Sequence, residues 1–153
     1  MTHDQPIPAA TLAAEYHKQL ARQTELCNRL EAVADSLPDS CNVQECLYLA
    51  QSFTPIVKQA HRFEEDQVFA LLRAQAPPPD LASTLERLAR EHMEDEEVAD
   101  EVTLALRDYV AGHKNVKAET LAWMLHASFE AMRRHLAFER DYMLPLVEKH
   151  HGH

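Results

Sequence analysis

The sequence predicts an all-α protein, an up-down-up-down antiparallel four-helix bundle, and three observations lead to this prediction. Glycine is rare, with two residues in 153, whereas hydrophobic residues make up 46% of the chain. Three breaks rich in proline, glycine or small polar residues divide the chain into segments much longer than strands. Within each segment, apolar residues recur at the spacing of one helix face. Long helices joined by short connections favour an antiparallel bundle.

The breaks set the expected limits of the helices. They contain Pro38, the run Pro77 to Pro79, and Gly112. We therefore expect helices near residues 9–36, 41–76, 80–111 and 116–149. Proline inside a helix removes a backbone donor, so Pro55 predicts a kink or a restart of the second helix.

The predicted domain organisation is a single bundle with two short extensions. Residues 9–149 form the bundle, residues 1–8 a flexible N-terminal arm, and residues 150–153 a His-rich tail. The first residues show neither a basic start nor a long apolar run, so we expect no secretory signal and a cytoplasmic location.

The net charge indicates which classes of binding partner to expect, and the cysteine content indicates whether a disulfide framework is present. The formal net charge of −10 argues against nucleic acid or an anionic membrane as a partner. An acidic chain with ten histidines points instead to cations. The three cysteines, Cys27, Cys41 and Cys46, form no CxxC pair and no even disulfide set, and we interpret them as half-buried helix residues.

Three histidines, each in a different predicted helix, are followed four residues later by a glutamate. Positions i and i+4 share a helix face, so each pair can direct an imidazole and a carboxylate to one point. The pairs are His61 with Glu65, His92 with Glu96, and His135 with Glu139, and the first helix adds His17. Neighbouring acids are interpreted as a solvated face: Glu64, Asp66, Glu94, Asp95 and Glu97.

These seven residues are expected to meet inside the bundle. Counted from the predicted loops, they lie at one depth in the first three helices, and the fourth differs by about five residues. They interrupt stripes that are otherwise apolar or small. Three buried carboxylates would repel each other without cations. A bound metal pair offsets this charge, and a metal-free, protonated network is the alternative.

The types of candidate ligand limit the choice of metal ion. The cluster contains no thiolate, and imidazole with carboxylate suits iron, manganese or zinc. Seven ligands exceed what one tetrahedral zinc takes and suit two octahedral ions, with iron as the leading choice. Ferritin-like storage is disfavoured, since that motif places His three residues after Glu.

The pattern resembles the hemerythrin-like, or HHE cation-binding, family, from His17 to about Val147. The resemblance rests on six of the seven positions above, all except position 96, and on the closing run from Phe138 to Leu146. It implies a four-helix bundle with two non-haem iron ions and a bridging oxo or hydroxo group.

The resemblance also implies roles for individual residues. Glu65 and Glu139 would bridge the irons, and His17 and His61 would bind one iron and leave it an open position. The other iron would be bound by His92, His135 and the residue at position 96. Oxygen carriers of the family have His at that position, whereas this chain has Glu96. A third carboxylate stabilises ferric iron, which weakens the case for reversible oxygen carriage.

The resulting functional hypothesis is a di-iron protein that binds or reduces O2, peroxide or nitric oxide, with an unknown electron donor. One alternative is a non-enzymatic iron or oxygen sensor or carrier, in which metal loading stiffens the bundle. Another is a metal-free structural bundle.

Overall fold

The computed structural model describes residues 7–113 and 115–151, which form helices and turns and no strands. Two π-helical segments join consecutive helices: π1 (Glu64–Phe69) connects α2 to α3, and π2 (Glu139–Met143) connects α5 to α6. The described part of the chain therefore contains four continuous helical rods. The helices are α1 (Ala9–Ser36), α2 (Val43–Phe63), α3 (Ala70–Ala74), α4 (Pro79–Val110), α5 (Ala118–Phe138) and α6 (Leu144–His151).

The four rods pack in a ring in which sequence neighbours are also spatial neighbours. Helix α1 packs on α2, α2 on α4, α4 on α5, and the last rod returns to α1 through both α5 and α6. This arrangement confirms the predicted all-α four-helix bundle. The observed rods begin and end within two residues of the predicted limits, which is the usual uncertainty of helix ends.

The helix ends follow local sequence rules. The side chain of Asn42 accepts a hydrogen bond from the backbone N–H of Glu45 at 3.1 Å and caps the start of α2. Pro79 occupies the first turn of α4, where its missing donor costs nothing. After α4, Gly112 adopts a positive φ of 79°, and the backbone N–H of His113 bonds the carbonyl of Asp108 at 3.0 Å. This is the glycine-dependent turn that ends many helices.

Aromatic side chains fill part of the interior of the bundle. Tyr16, Phe53, Phe69 and Phe129 are all almost completely buried. On α1 the buried positions recur every three to four residues, as expected of a helix with one core-facing side. They are Leu12, Ala13, Tyr16, Gln19, Leu20, Gln23, Leu26, Cys27, Leu30, Val33 and Ala34.

One of the two irregular backbone segments lies beside a proline, but neither lies at Pro55. Helix α2 continues through Pro55 without a restart, and the regular hydrogen bonding changes instead at π1 and π2. Pro145 follows π2 by two residues, and a proline ring clashes with the carbonyl four residues earlier in a regular α-helix. The wider turns of π2 occupy the stretch where this clash would arise.

Two expectations fall largely outside the described residues. Of the predicted N-terminal arm, the structure describes only residues 7 and 8, and the predicted tail ends with two residues outside the described range. Among the described helices, none is both long enough and apolar enough to cross a membrane.

Candidate metal centre

Five ionisable side chains from three of the four rods meet in the interior of the bundle. They are His61 and Glu64 of the second rod, His92 of α4, and His135 and Glu139 of the fourth rod. Glu64 and His92 are fully buried, Glu139 is 1% exposed, and the side chain of His135 is 11% exposed. A group of this kind is costly to bury unless its members have partners.

The convergent atoms are close together but make no hydrogen bonds of suitable geometry. His92 Nε2 lies 3.0 Å from Glu64 Oε2, and His135 Nε2 lies 3.0 Å from Glu139 Oε2. All four atoms are buried and without a hydrogen-bond partner, as is Glu64 Oε1. Buried polar atoms are rarely left in this state.

The same atoms form two overlapping groups with metal-ligand spacing. His61, Glu64 and His92 make one, and Glu64, His135 and Glu139 make the other, with the offered atoms of each group within 4.8 Å of one another. Glu64 belongs to both groups. The donor set of imidazoles and carboxylates is the one that iron, manganese and zinc accept, so the residues fit a metal site.

Two further carboxylates contact the Nδ1 atoms of two of these imidazole rings. Glu96 lies 2.8 Å from His61 Nδ1, and Glu65 lies 2.7 Å from His92 Nδ1. The rings of His61 and His92 stack with centroids 3.8 Å apart and planes 8° apart. An imidazole that donates its Nδ1 proton to a carboxylate keeps its Nε2 lone pair for a metal, and such outer partners orient metal-binding histidines.

The first helix contributes a tyrosine to the centre. Tyr16 is completely buried, and its hydroxyl donates a hydrogen bond to Glu139 Oε1 at 2.7 Å. Burial and the nearby carboxylates Glu139 and Glu64 raise the pKa of Tyr16, so the phenol keeps its proton. Glu139 therefore accepts from Tyr16 with one oxygen and faces His135 with the other.

The surroundings shift the pKa values of the two histidines His61 and His135 in opposite directions, and likewise those of the two glutamates Glu64 and Glu139. Burial, with His92 and His135 nearby, lowers the pKa of His61 to about 3. Burial alone would lower the pKa of His135, but the carboxylate of Glu139 outweighs it and raises that pKa. Burial and the charge of Glu139 raise the pKa of Glu64. Burial would also raise the pKa of Glu139, but Glu64, His135 and Tyr16 outweigh it and lower that pKa to about 2.

Of the seven residues predicted to meet, the structure brings four into the buried cluster: His61, His92, His135 and Glu139. It does not bring in His17, whose side chain is 59% exposed and lies 3.3 Å from Glu148 on α6. Consecutive residues on a helix point about 100° apart. With Tyr16 facing the core, His17 is turned towards the surface.

Glu65 and Glu96 lie at the edge of the cluster, with side chains 40% and 28% exposed. Glu64 occupies the interior position that we expected for Glu65. The interpretation of Glu64 as part of a solvated acidic face is wrong, because its side chain is fully buried. The sequence does contain a signal for this exchange: Glu64 and Glu65 are adjacent acids, three and four residues after His61, and either spacing can share a helix face with that histidine.

Each buried carboxylate is the first residue of a π-helical segment. Glu64 begins π1 and Glu139 begins π2. Single π-helical turns inside α-helices often occur at functional sites. Hydrophobic periodicity does not reveal such a turn, so sequence reasoning missed both segments.

Two surface clefts reach the cluster from different sides. A cleft of about 410 Å³ between α4 and α5 ends at His135 and includes Arg87, Asp95 and Arg134 in its lining. A second cleft of about 400 Å³ ends at His61 and includes Lys58 and Glu96. Each cleft therefore has one histidine of the cluster in its lining.

Comparison with known families matches residues 12–147 to the hemerythrin HHE cation-binding domain. The chain belongs to this family. Comparison with curated proteins and with solved structures gives no match. The bundle and its buried His/Glu cluster are compatible with the metal binding for which the HHE family is described.

Proposed function

We propose that this HHE protein holds two non-haem iron ions in its buried His/Glu cluster and uses them to bind or reduce O2, peroxide or nitric oxide. The observation that supports the proposal most strongly is the pair of ligand groups that share Glu64. Five of their buried atoms converge without hydrogen-bond partners: both carboxylate oxygens of Glu64, Glu139 Oε2, and the Nε2 atoms of His92 and His135. Metal ions would supply the missing partners.

The proposed ligands are the five buried side chains. His61 and His92 would bind one ion, His135 and Glu139 the other, and Glu64 would contact both. Five ligands exceed the four of a closed structural zinc site, and none of them is a thiolate. Iron is proposed over zinc because this set suits two ions that retain open positions.

When bound, two ferrous ions supply two electrons to a small ligand. The protein itself orients the metal-binding side chains and determines which of their nitrogen and oxygen atoms carry protons. Glu65 and Glu96 fix the tautomers of His92 and His61 through their Nδ1 atoms. Tyr16 holds one oxygen of Glu139, so that the other oxygen faces the cluster.

The surroundings of the centre favour small ligands. The cluster lies below the surface, and Leu88 and Phe138 lie beside His135 in the cleft between α4 and α5. A diatomic molecule or peroxide is small enough to pass between such side chains. The cleft is lined by charges of both signs, Arg87 and Arg134 together with Glu91, Glu94 and Asp95, so it selects ligands by size and not by net charge.

The test is metal content combined with reactivity. Protein produced in iron-supplemented medium is analysed for metal, for a near-ultraviolet charge-transfer band that bleaches on reduction, and for consumption of O2, peroxide or nitric oxide. We expect about two irons per chain. His61→Ala should lose iron and reactivity, whereas His126→Ala, at an exposed histidine that pairs with Glu130, should retain both.

Two results would contradict the proposal. One is a chain that binds no iron, or a single zinc ion, under these conditions. The other is a His61→Ala variant that folds normally by circular dichroism and still binds as much iron as the parent. Iron that binds stoichiometrically but reacts with none of the three ligands would retain the metal site and reject the redox function.

A further inference from the structure

Two cysteines face each other where the chain enters α2, far from the metal centre. The Sγ atoms of Cys41 and Cys46 lie 3.1 Å apart, and both residues are free thiols. A disulfide bond measures about 2.05 Å, so the sulfur atoms need to approach by about 1 Å. Fifteen helical residues, roughly 22 Å, separate Cys46 from His61.

We propose that Cys41 and Cys46 form a reversible intrachain disulfide when the protein meets hydrogen peroxide. The proposal rests on the direct contact between the two sulfur atoms and on their unequal exposure. It does not depend on the metal centre. The pair therefore constitutes a separate oxidation site, at the corner between α1 and α2.

Unequal exposure gives the two thiols different roles. Cys41 precedes α2 in the loop and is partly exposed, whereas Cys46 lies on α2 and is fully buried. Burial, together with the contact to Cys41, raises the pKa of Cys46 to about 12. Peroxide reaches Cys41 first, because oxidation of a thiol requires access to its sulfur atom. Cys46 then acts as the resolving thiol.

The chemistry balances with peroxide as the oxidant. The Cys41 sulfur attacks one oxygen of hydrogen peroxide, the O–O bond breaks, and Cys41 becomes a sulfenic acid as water leaves. The Cys46 sulfur then attacks the Cys41 sulfur, the S–O bond breaks, and a second water leaves with the Cys46 proton. Two thiols lose two electrons and two protons, and peroxide is reduced to two waters.

The chain provides a matched control in its third cysteine. Cys27 is fully buried on α1, and burial raises its pKa to about 11. No sulfur contact involves Cys27 among those found in the described residues. It should remain a thiol under conditions that oxidise the other two.

The experiment counts thiols on the full-length protein as purified. The reduced protein is exposed to increasing hydrogen peroxide, denatured and alkylated, and its intact mass and peptides are measured. We expect two of the three cysteines to escape alkylation together, so that the oxidised chain carries one alkyl group in place of three and lacks the two thiol hydrogens lost to the disulfide. The cross-linked peptide should contain Cys41 and Cys46, and dithiothreitol should restore both thiols.

Cysteine variants make the result decisive. Cys27→Ser should form the disulfide as the parent does. Cys46→Ser should leave Cys41 as a sulfenic or more oxidised acid, and Cys41→Ser should leave Cys46 reduced. The proposal is overturned if Cys41 in the parent reaches sulfinic acid while Cys46 remains a thiol. It is equally overturned if the cross-link contains Cys27, or if all three thiols stay reactive at peroxide levels that oxidise Cys41 in Cys46→Ser.

Discussion

The second and fourth rods carry the same sequence spacing, a histidine followed by a glutamate four residues later, yet they use it differently. In the fourth rod, Glu139 is 1% exposed and lies 3.0 Å from the histidine that begins its own motif. In the second rod, the side chain of Glu65 is 40% exposed and binds the outer nitrogen of His92 on another helix. Its neighbour Glu64 occupies the interior.

The difference lies in where each π-helical segment begins. In the second rod π1 begins three residues after His61, and in the fourth rod π2 begins four residues after His135. The second rod has a carboxylate at both positions, whereas the fourth has Phe138 at the earlier one. Spacing therefore limits the choice of ligand to two adjacent positions, and the local backbone decides between them.

The largest expected effect comes from neutralising a buried carboxylate, and the fourth rod offers the first case. Glu139→Gln removes a buried charge that contacts His135 and Tyr16 and keeps the molecular shape. We expect metal affinity to fall by more than about 100-fold, or about 2.7 kcal/mol. Competition with a chromogenic chelator measures the affinity, and far-UV circular dichroism verifies the fold. An affinity within about three-fold of the parent would show that Glu139 is not a ligand.

The adjacent acids of the second rod should respond unequally. Glu64→Gln should weaken metal binding as strongly as Glu139→Gln, because Glu64 belongs to both ligand groups. Glu65→Gln changes only an outer partner of His92, and such changes cost about 10- to 100-fold in metal affinity. The same chelator assay ranks the two variants. The reverse order would place Glu65 in the centre and remove the contrast between the rods.

In metal-free protein the pKa values of His61 and His135 are shifted in opposite directions, so the two histidines should change the folding stability in opposite ways as the pH falls. The folded-state pKa of His61 is lowered from 6.5 to about 3, so its contribution to stability is lost as pH falls from 6.5 towards 3. The folded-state pKa of His135 is raised, so its contribution is present below 6.5 and lost as pH rises through the raised value.

Comparison of variants isolates these contributions from that of Glu64, whose raised pKa favours the folded state at low pH. Between pH 6.5 and 4.5, His61→Asn should reduce the acid-induced loss of stability by about 1 to 3 kcal/mol. His135→Asn should increase that loss over the same interval. Urea unfolding at several pH values measures both effects. Parallel pH profiles for the parent and His61→Asn would contradict the assigned shift.

The smallest effect concerns the adjacent residues of α1. Tyr16→Phe removes the hydrogen bond to Glu139, and we expect metal affinity to fall by about 1 kcal/mol, roughly five-fold. His17→Ala should leave metal affinity unchanged, because His17 contacts Glu148 at the surface. Isothermal titration of the two variants under identical conditions makes the comparison. Metal loss in His17→Ala would restore His17 to the centre.

The sequence predicted the fold because the fold depends on features that act over whole segments. Breaks such as the one at Gly112 and the apolar stripes of each helix determine where the rods end and which sides they bury. The family resemblance was confirmed over residues 12–147. These signals tolerate an error of one residue without changing the architecture.

The site was predicted less completely because it depends on single residues. Tyr16 and His17, like Glu64 and Glu65, are adjacent, and a stripe of apolar residues does not distinguish positions about 100° apart. The π-helical segments leave no mark on hydrophobic periodicity. His61, His92, His135 and Glu139 were placed in the cluster by their four-residue spacing, and none of them adjoins a residue of the same type that could take its place.

The most direct test of the centre is anomalous X-ray scattering at the iron absorption edge from crystals of the iron-loaded protein. We expect two iron peaks, with Glu64 in contact with both and with His61, His92, His135 and Glu139 completing the protein ligands. Tyr16 should remain bonded to Glu139, with His17 and Glu65 outside the coordination shell. Iron coordinated by His17 and Glu65, with Glu64 away from the metal, would contradict the account.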